Sequence, residues 1–354
     1  MTKKELLHHR LHNQQISQKE FVDPFDVVKW LGVVQAQDYF GALWALGLRT
    51  KNTIESDIEK ALAARKFIRT WPLRGTLHFV AAEDARWMLA LSKPKLIATN
   101  AGRMKKEYDL DEKVFTKSKK VLVRALERNK QIPRDDVYTL LEKAGITTVN
   151  SRGLHILWRL AMEGLICFGT RHGKQQTFTL LDEWIAPTKL LTHEESLAEL
   201  AARYFNGHGP ATLKDFIWWS GLSPADAKTA LESVRAKFIQ HKIDDQIYWM
   251  SGTPSVTKTS ASTVYLLPSY DEYMVGYADR SASLDTDNPD HGHGIFKPVV
   301  VINGKVNGIW KRTLKKDAVD IDVTPFDSFS KPESKAIDTA AERYGKFIDK
   351  KRST

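Results

Sequence analysis

The chain has 354 residues, 42% of them hydrophobic and 10% aromatic, a globular composition long enough for two or three domains. No apolar run approaches the roughly 18 to 20 residues of a membrane span, and the start MTKKELLHHRLHNQQ lacks the apolar core of a secretory signal. Net charge is +10, from 53 basic and 43 acidic residues, which favours a polyanionic partner in the cytoplasm.

The N-terminal elements read as helices over PFDVVKWLG, YFGALWALGL and ESDIEKALAARK, followed by a hairpin of FIRTWPL and TLHFVA about Arg74-Gly75. Between the first two helices lies VVQAQD, in which Gln35 and Gln37 flank a single alanine after an apolar run. Residues two apart do not share a face on a regular helix. The two amides can converge only where a helix ends or the chain extends, and Gly32 just upstream makes such an irregularity plausible. In TLHFVA, His78 alternates with Leu77 and Phe79 and is read as a solvent-side sheet residue, the alternative being a site residue.

Residues 93–130 form a basic linker carrying 12 Lys and Arg against 5 acids, Lys105, Lys106, Lys119 and Lys120 among them. Such a concentration suits a phosphate-facing surface. A helix over 116–129 follows from the spacing of Val121, Leu122, Ala125 and Leu126, and a second over RDDVYTLLEKAG, closed by Gly145. In TVNSRGLHILWRLAMEGL the residues Leu154, Leu157, Trp158, Ala161 and Leu165 form an apolar stripe, with Arg152, His155 and Arg159 on the opposite side. The strands LICFGT and TFTLL then enclose the turn RHGKQQ, which bears Arg171 and Lys174. Three helices followed by a hairpin are the order of a winged helix, a device built primarily for DNA. Cys167, the single cysteine, lies between apolar neighbours in the first of these strands and reads as a buried inert thiol.

The same order recurs in ESLAELAARYF, TLKDFIWWSG and ADAKTALESVRAK, with a hairpin of FIQHKI and IYWM about Asp244-Asp245. Beyond residue 262 the segments VYLLPSY, KPVVVING, KVNGIWKRTL and AVDIDVTPF are strand-like, and SKPESKAIDTAAERYGKFIDKK closes the chain as a helix. The expected fold is α+β: tandem winged-helix modules at 1–92, 93–190 and 191–255, then a C-terminal β-rich subdomain with its closing helix at 256–354. His291 and His293 stand in the polar loop 281–294 without further ligands at metal-site spacing, so no metal and no cofactor is expected. The chain contains no phosphate-binding glycine loop, dinucleotide fingerprint, HExxH, CxxC or GxSxG.

Five blocks, VVQAQD (33–38), TWPLRGTLHFV (70–80), HGPATLKDFIWWSGL (208–222), LLPSYDEYMVGYADRS (266–281) and INGKVNGIWKR (302–312), together resemble the AlkZ-like winged-helix family. These are bacterial DNA glycosylases, one branch of which confers resistance to the crosslinking antibiotic azinomycin. The resemblance implies excision of alkylated purines, especially guanines alkylated at N7; the expected partner is double-stranded DNA, and the protein is expected to be monomeric and nucleoid-associated. The family's catalytic signature, Gln, an apolar residue, then Gln or Asp, falls on Gln35, Ala36 and Gln37, the double-glutamine form of the crosslink-unhooking branch. Ala36 is a smaller spacer than the Val or Leu expected there.

Around that pair, Asp271 is a candidate to orient an amide or water, with a salt bridge to Arg280 as the alternative. Arg74 at its hairpin tip, and Lys311 and Arg312 after Trp310, are candidates to hold phosphate. A competing reading of the same modules is a non-catalytic DNA-binding regulator or architectural factor.

Overall fold

The structure, a computed structural model, describes residues 1–128, 130–173, 175–188, 190–252, 263–285 and 296–352. The chain divides into two compact units, one made of Met1–Ile58 with Leu197–Thr354, the other of Glu59–Ser196.

In the unit 59–196, neighbouring strands run in the order Thr76–Ala81, Phe67–Leu73, Ile166–Phe168, Thr177–Leu180 and Ile132–Pro133. Phe67–Leu73 is buried along its whole length, Arg69 and Thr70 included. Its hairpin turns on Arg74 and Gly75, with φ of 52° and 70°, both in the left-handed region. His78, expected on a solvent face, is buried, and its Nδ1 lies 2.8 Å from the Thr76 carbonyl. The alternation failed there because both faces of this strand are covered, all of Leu77–Ala81 being buried.

Three helices precede the second hairpin, Glu112–Leu126, Arg134–Lys143 and Arg152–Met162, after the long helix Ala85–Tyr108. The helix read over 116–129 thus starts earlier, where Asp111 caps it by accepting from the N–H groups of Lys113 and Val114. The inner face of Arg152–Met162 is Ile156, Leu157, Leu160 and Ala161, whereas Leu154 is 48% exposed. Leu154 belonged to the expected stripe; it faces away from the side on which Gly153, Ile156, Leu157 and Leu160 are covered. Cys167 is buried and free, and desolvation pushes its thiol well above the ordinary range.

The other unit begins with helices Lys3–Asn13, Pro24–Leu31 and Tyr39–Arg49. Helices His193–His208, Leu213–Ser220 and Pro224–Val234 lead to the hairpin Ile239–Ile243 and Gln246–Met250, which turns on Asp244 and Asp245 with φ of 45° and 62°. A five-stranded sheet follows in the order Lys351–Arg352, Ala318–Pro325, Lys305–Leu314, Val299–Ile302 and Val264–Leu267. All its neighbours are antiparallel except Lys351–Arg352, which runs parallel to Ala318–Pro325. The closing helix Lys331–Phe347 sets Tyr344 and Phe347 on Trp44, each with ring centroids 5.1 Å away. Trp44 and Trp310 in turn donate to the carbonyls of Leu266 and Leu267, both at 2.7 Å. The helix Tyr39–Arg49 is thereby fixed to the strand Val264–Leu267.

Candidate active site

The helix Pro24–Leu31 stops at Gly32, whose φ of 81° a side chain would resist. The chain is then extended over Val33–Gln35 and bends through Gln37 before Asp38 caps the helix Tyr39–Arg49, accepting from the N–H of Gly41 at 3.1 Å. Extended backbone sets residues two apart on one side, which a helix denies. Ala36 is buried, Gln35 is nearly so at 8% exposure, and Gln37 is exposed. The turn at Asp38 is close-packed: a Cβ on Gly41 would come within 2.5 Å of the Asp38 carboxylate and 3.2 Å of Pro268.

Beneath this segment lies the stretch Pro268–Val275. Tyr270 adopts a φ of 59°, uncommon for an aromatic residue, and after it Asp271 and Glu272 are both buried. Glu272 Oε1 accepts from the Gln35 backbone N–H at 2.8 Å. Its Oε2 accepts from Trp219 Nε1–H at 3.0 Å and lies 3.1 Å from His208 Nε2. Asp271 pairs with both terminal nitrogens of Arg49, at 2.7 and 2.8 Å, and caps its own short helix through the Tyr273 N–H at 2.9 Å. Gln14 joins the two, accepting from Arg49 at 3.0 Å and donating to the Glu272 carbonyl at 3.3 Å. The alternative bridge from Asp271 to Arg280 is overturned, because Arg49 occupies both carboxylate oxygens and Arg280 Nε donates to the Met274 carbonyl instead.

Arg312 is near the motif, 3.9 Å from Asp38 and over the Tyr344 ring, while Lys311 is exposed. The remaining expected contacts belong to the unit 59–196. Arg74 stands at its hairpin tip. Lys106, Lys119 and Lys120 are exposed, but Lys105 is held by Asp109 at 2.9 Å and Asp111 at 3.4 Å. Arg152 donates to the carbonyls of Tyr108, Asp109 and Thr147, and Arg159 pairs with Glu112 at 2.9 Å and Glu163 at 2.7 Å. His155 packs on Tyr108 with centroids 4.0 Å apart, and burial, then nearby Arg103, lowers its pKa. Arg171 pairs with Glu59 at 2.8 Å. Lys174, His291 and His293 lie outside the described residues. Among the described residues, no group of three or more His, Cys, Asp or Glu side chains could hold a metal ion.

Sequence reasoning passed over Glu272, His208 and Trp219. Their signal was present: each is a polar or amphipathic residue inside one of the conspicuous blocks HGPATLKDFIWWSGL and PSYDEYMVGY, where a surface location was hard to reconcile with so many apolar neighbours.

The family model of the AlkZ-like DNA glycosylases matches residues 28–347. The chain belongs to that family. As an AlkZ-like glycosylase it acts on DNA by hydrolysing the bond between base and sugar. A curated relative, the interstrand DNA cross-link repair glycosylase of Streptomyces sahachiroi, is 24% identical over 355 residues, 92% of either chain. The solved structure of the Streptomyces sahachiroi DNA glycosylase AlkZ has the same fold, with a TM-score of 0.78 at 20% identity over 99% of this chain and 98% of that one. No helix among the described residues is long and apolar enough to cross a membrane.

Proposed function

We propose that this AlkZ-like glycosylase excises purines alkylated at N7, crosslinked guanines among them, and that Gln35 and Gln37 orient the attacking water. A guanine alkylated at N7 is cationic, so when the C1′–N9 bond breaks its electron pair leaves with a neutral base. The sugar is left as an oxocarbenium ion, water adds to C1′, and the surplus proton passes to solvent. Glutamine cannot take a proton at neutral pH but offers an acceptor oxygen and two donors. Two such oxygens fix the water and put partial negative charge beside the developing cation, which suffices for so good a leaving group. The observation that carries this reading is the Gln35-Ala36-Gln37 segment at the end of the strand Val33–Gln35, where the chain bends, with its alanine inward, one amide at the margin of the core and the other in solvent. The relative's role in crosslink repair agrees with the double-glutamine form.

On the same reading the helix–helix–helix–hairpin runs are tandem winged-helix modules, divided at 1–92, 93–190 and 191–255, with a β-rich subdomain at 256–354. The protein works as a monomer at the nucleoid. Duplex DNA meets Lys106, Lys119, Lys120 and Lys311 directly, and Arg74 at its hairpin tip. Lys105, Arg152, Arg159, Arg171 and Arg312 must first loosen the contacts they make within the protein.

Incubation with duplex containing N7-methylguanine in excess EDTA tests the proposal by the appearance of abasic sites. Gln37→Ala is expected to lower the single-turnover rate roughly a hundred- to a thousandfold, with duplex affinity nearly intact. Gln37→Asp supplies an anion and is expected to keep measurable activity on less labile adducts. Wild-type rates for both Gln35→Ala and Gln37→Ala would remove these amides from the chemistry.

A further inference from the structure

The motif Gln35-Ala36-Gln37 carries no ionisable group, yet a buried carboxyl group touches its backbone. Glu272 opens the short helix Glu272–Val275 and is 1% exposed. Its Oε1 accepts the Gln35 N–H at 2.8 Å, while its Oε2 is fixed from the other side by Trp219 Nε1–H at 3.0 Å and His208 Nε2 at 3.1 Å, both side chains fully buried. The His208 ring is itself stacked on Tyr204, with centroids 4.8 Å apart and planes 14° from parallel. Residue 271 fastens the other end of the same region. Its carboxylate binds Arg49, in the last turn of the helix that begins directly after Gln37 and Asp38. Two successive acidic side chains therefore hold the strand that carries Gln35 and the helix that follows Gln37.

Filling this space with apolar side chains would be the simpler way to make a stable core. Desolvating a carboxylate costs several kcal/mol, and replacing buried ion pairs by well-packed apolar residues is often neutral or stabilising. What a hydrogen-bonded carboxyl group adds is direction, since it admits the Gln35 N–H along one line and at one distance. Water attack at C1′ has a need for that, because a displacement of about 1 Å can cost about a hundredfold in rate.

We propose that Glu272 is a positioning residue for the glycosylase reaction, acting through the Gln35 backbone N–H, with Trp219 and His208 holding its carboxyl group in register. It acts by setting where the Gln35 backbone stands. The proposal rests on the reading of Gln35 as a water-orienting residue.

Glu272→Gln keeps the shape and leaves an oxygen for the Gln35 N–H, but turns an NH2 group towards Trp219 and His208. Single-turnover excision of N7-methylguanine is expected to fall about ten- to a hundredfold, with duplex affinity changed less than about twofold. The Gln35 amide proton is expected to move upfield as its acceptor loses charge. In a Gln35→Ala background the same substitution is expected to remove less than about a further twofold, because both act on one contact. A slow Gln35→Ala beside a wild-type rate for Glu272→Gln overturns the positioning role and leaves the Gln35 reading standing. Full additivity of the two substitutions also overturns it. Wild-type rates for both Gln35→Ala and Gln37→Ala overturn the reading underneath. Should Glu272→Gln fail to fold, Trp219→Phe removes one donor from Oε2 while keeping an aromatic ring. A severalfold loss of rate at unchanged affinity is then expected, and an unchanged rate refutes the role.

Discussion

Arg49 and Asp271 pair with their side chains entirely out of water, whereas Lys105 and Asp109, in the unit 59–196, pair with 58% and 80% of theirs exposed. Arg159 and Glu112 are intermediate, the arginine 11% exposed and the carboxylate 76%. The difference separates two uses of charge. A buried pair cannot exchange partners without leaving a charge stranded, so it fixes geometry. An exposed pair contributes little to stability, about 0 to 1 kcal/mol, and can give up its acid for a phosphate when DNA arrives. Charges under the candidate site hold; charges on the basic helices are available.

The largest expected effect comes from breaking a buried pair. Arg49→Met strands Asp271, and should cost about 3 to 5 kcal/mol of stability in urea denaturation. Adding Asp271→Asn removes the stranded charge, keeps the helix cap and should recover part of that loss. If Arg49→Met is as stable as wild type, the two classes of pair do not differ as argued.

A smaller effect sharpens the contrast among exposed lysines. Lys106→Ala, Lys119→Ala and Lys120→Ala should each reduce the slope of log affinity against log salt, by up to about 0.9 for each phosphate that the lysine neutralises. Lys105→Ala should reduce it less, because Asp109 and Asp111 already neutralise that ammonium. Equal slopes for all four would show that local pairing does not matter, and an unchanged slope in the combined variant would remove the patch from the interface.

A third effect is a pH dependence in a half-buried cation. Burial, then the nearby Arg343, lowers the Lys19 ammonium from 10.5 to about 7, and its Nζ donates to the Thr50 carbonyl at 3.2 Å. Between those two values the unfolded chain binds more protons than the folded one, so this group makes stability rise with pH across the window. Below about 7 it is charged in both states, and its burial penalty is fully present. Lys19→Met should therefore gain most over wild type below that pH, and the gain should shrink as pH climbs. A pH-independent difference in melting temperature between the two proteins would contradict this.

Much of the fold could be read from local patterns. Gly145 marked a helix end, and Arg74-Gly75 and Asp244-Asp245 marked hairpins, because cap and turn chemistry is written in adjacent residues. His78 and Leu154 were misjudged for a different reason. Which face of an element is covered depends on elements far away in the chain, and period alone cannot report it. The candidate site divides in the same way. Gln35 and Gln37 were visible as a short motif, and Asp271 as a polar residue in a conspicuous block. Its partnership with Arg49 spans 222 residues, and that of Glu272 with Gln35 spans 237, separations over which a single sequence carries no pairing signal.

Those separations also set an order of events during synthesis. Residues 59–196 form a continuous stretch, so that unit has all its parts as soon as it leaves the ribosome. The unit carrying the glutamines does not. Gln35 emerges early, yet the carboxyl group that receives its N–H lies at 272, and the acid that neutralises Arg49 at 271. The first 58 residues must wait with the Arg49 charge lacking its acid until most of the chain has been made. A nascent chain halted before residue 271 would therefore contain the whole of the unit 59–196 but a Gln35 strand still without its partners at 271 and 272.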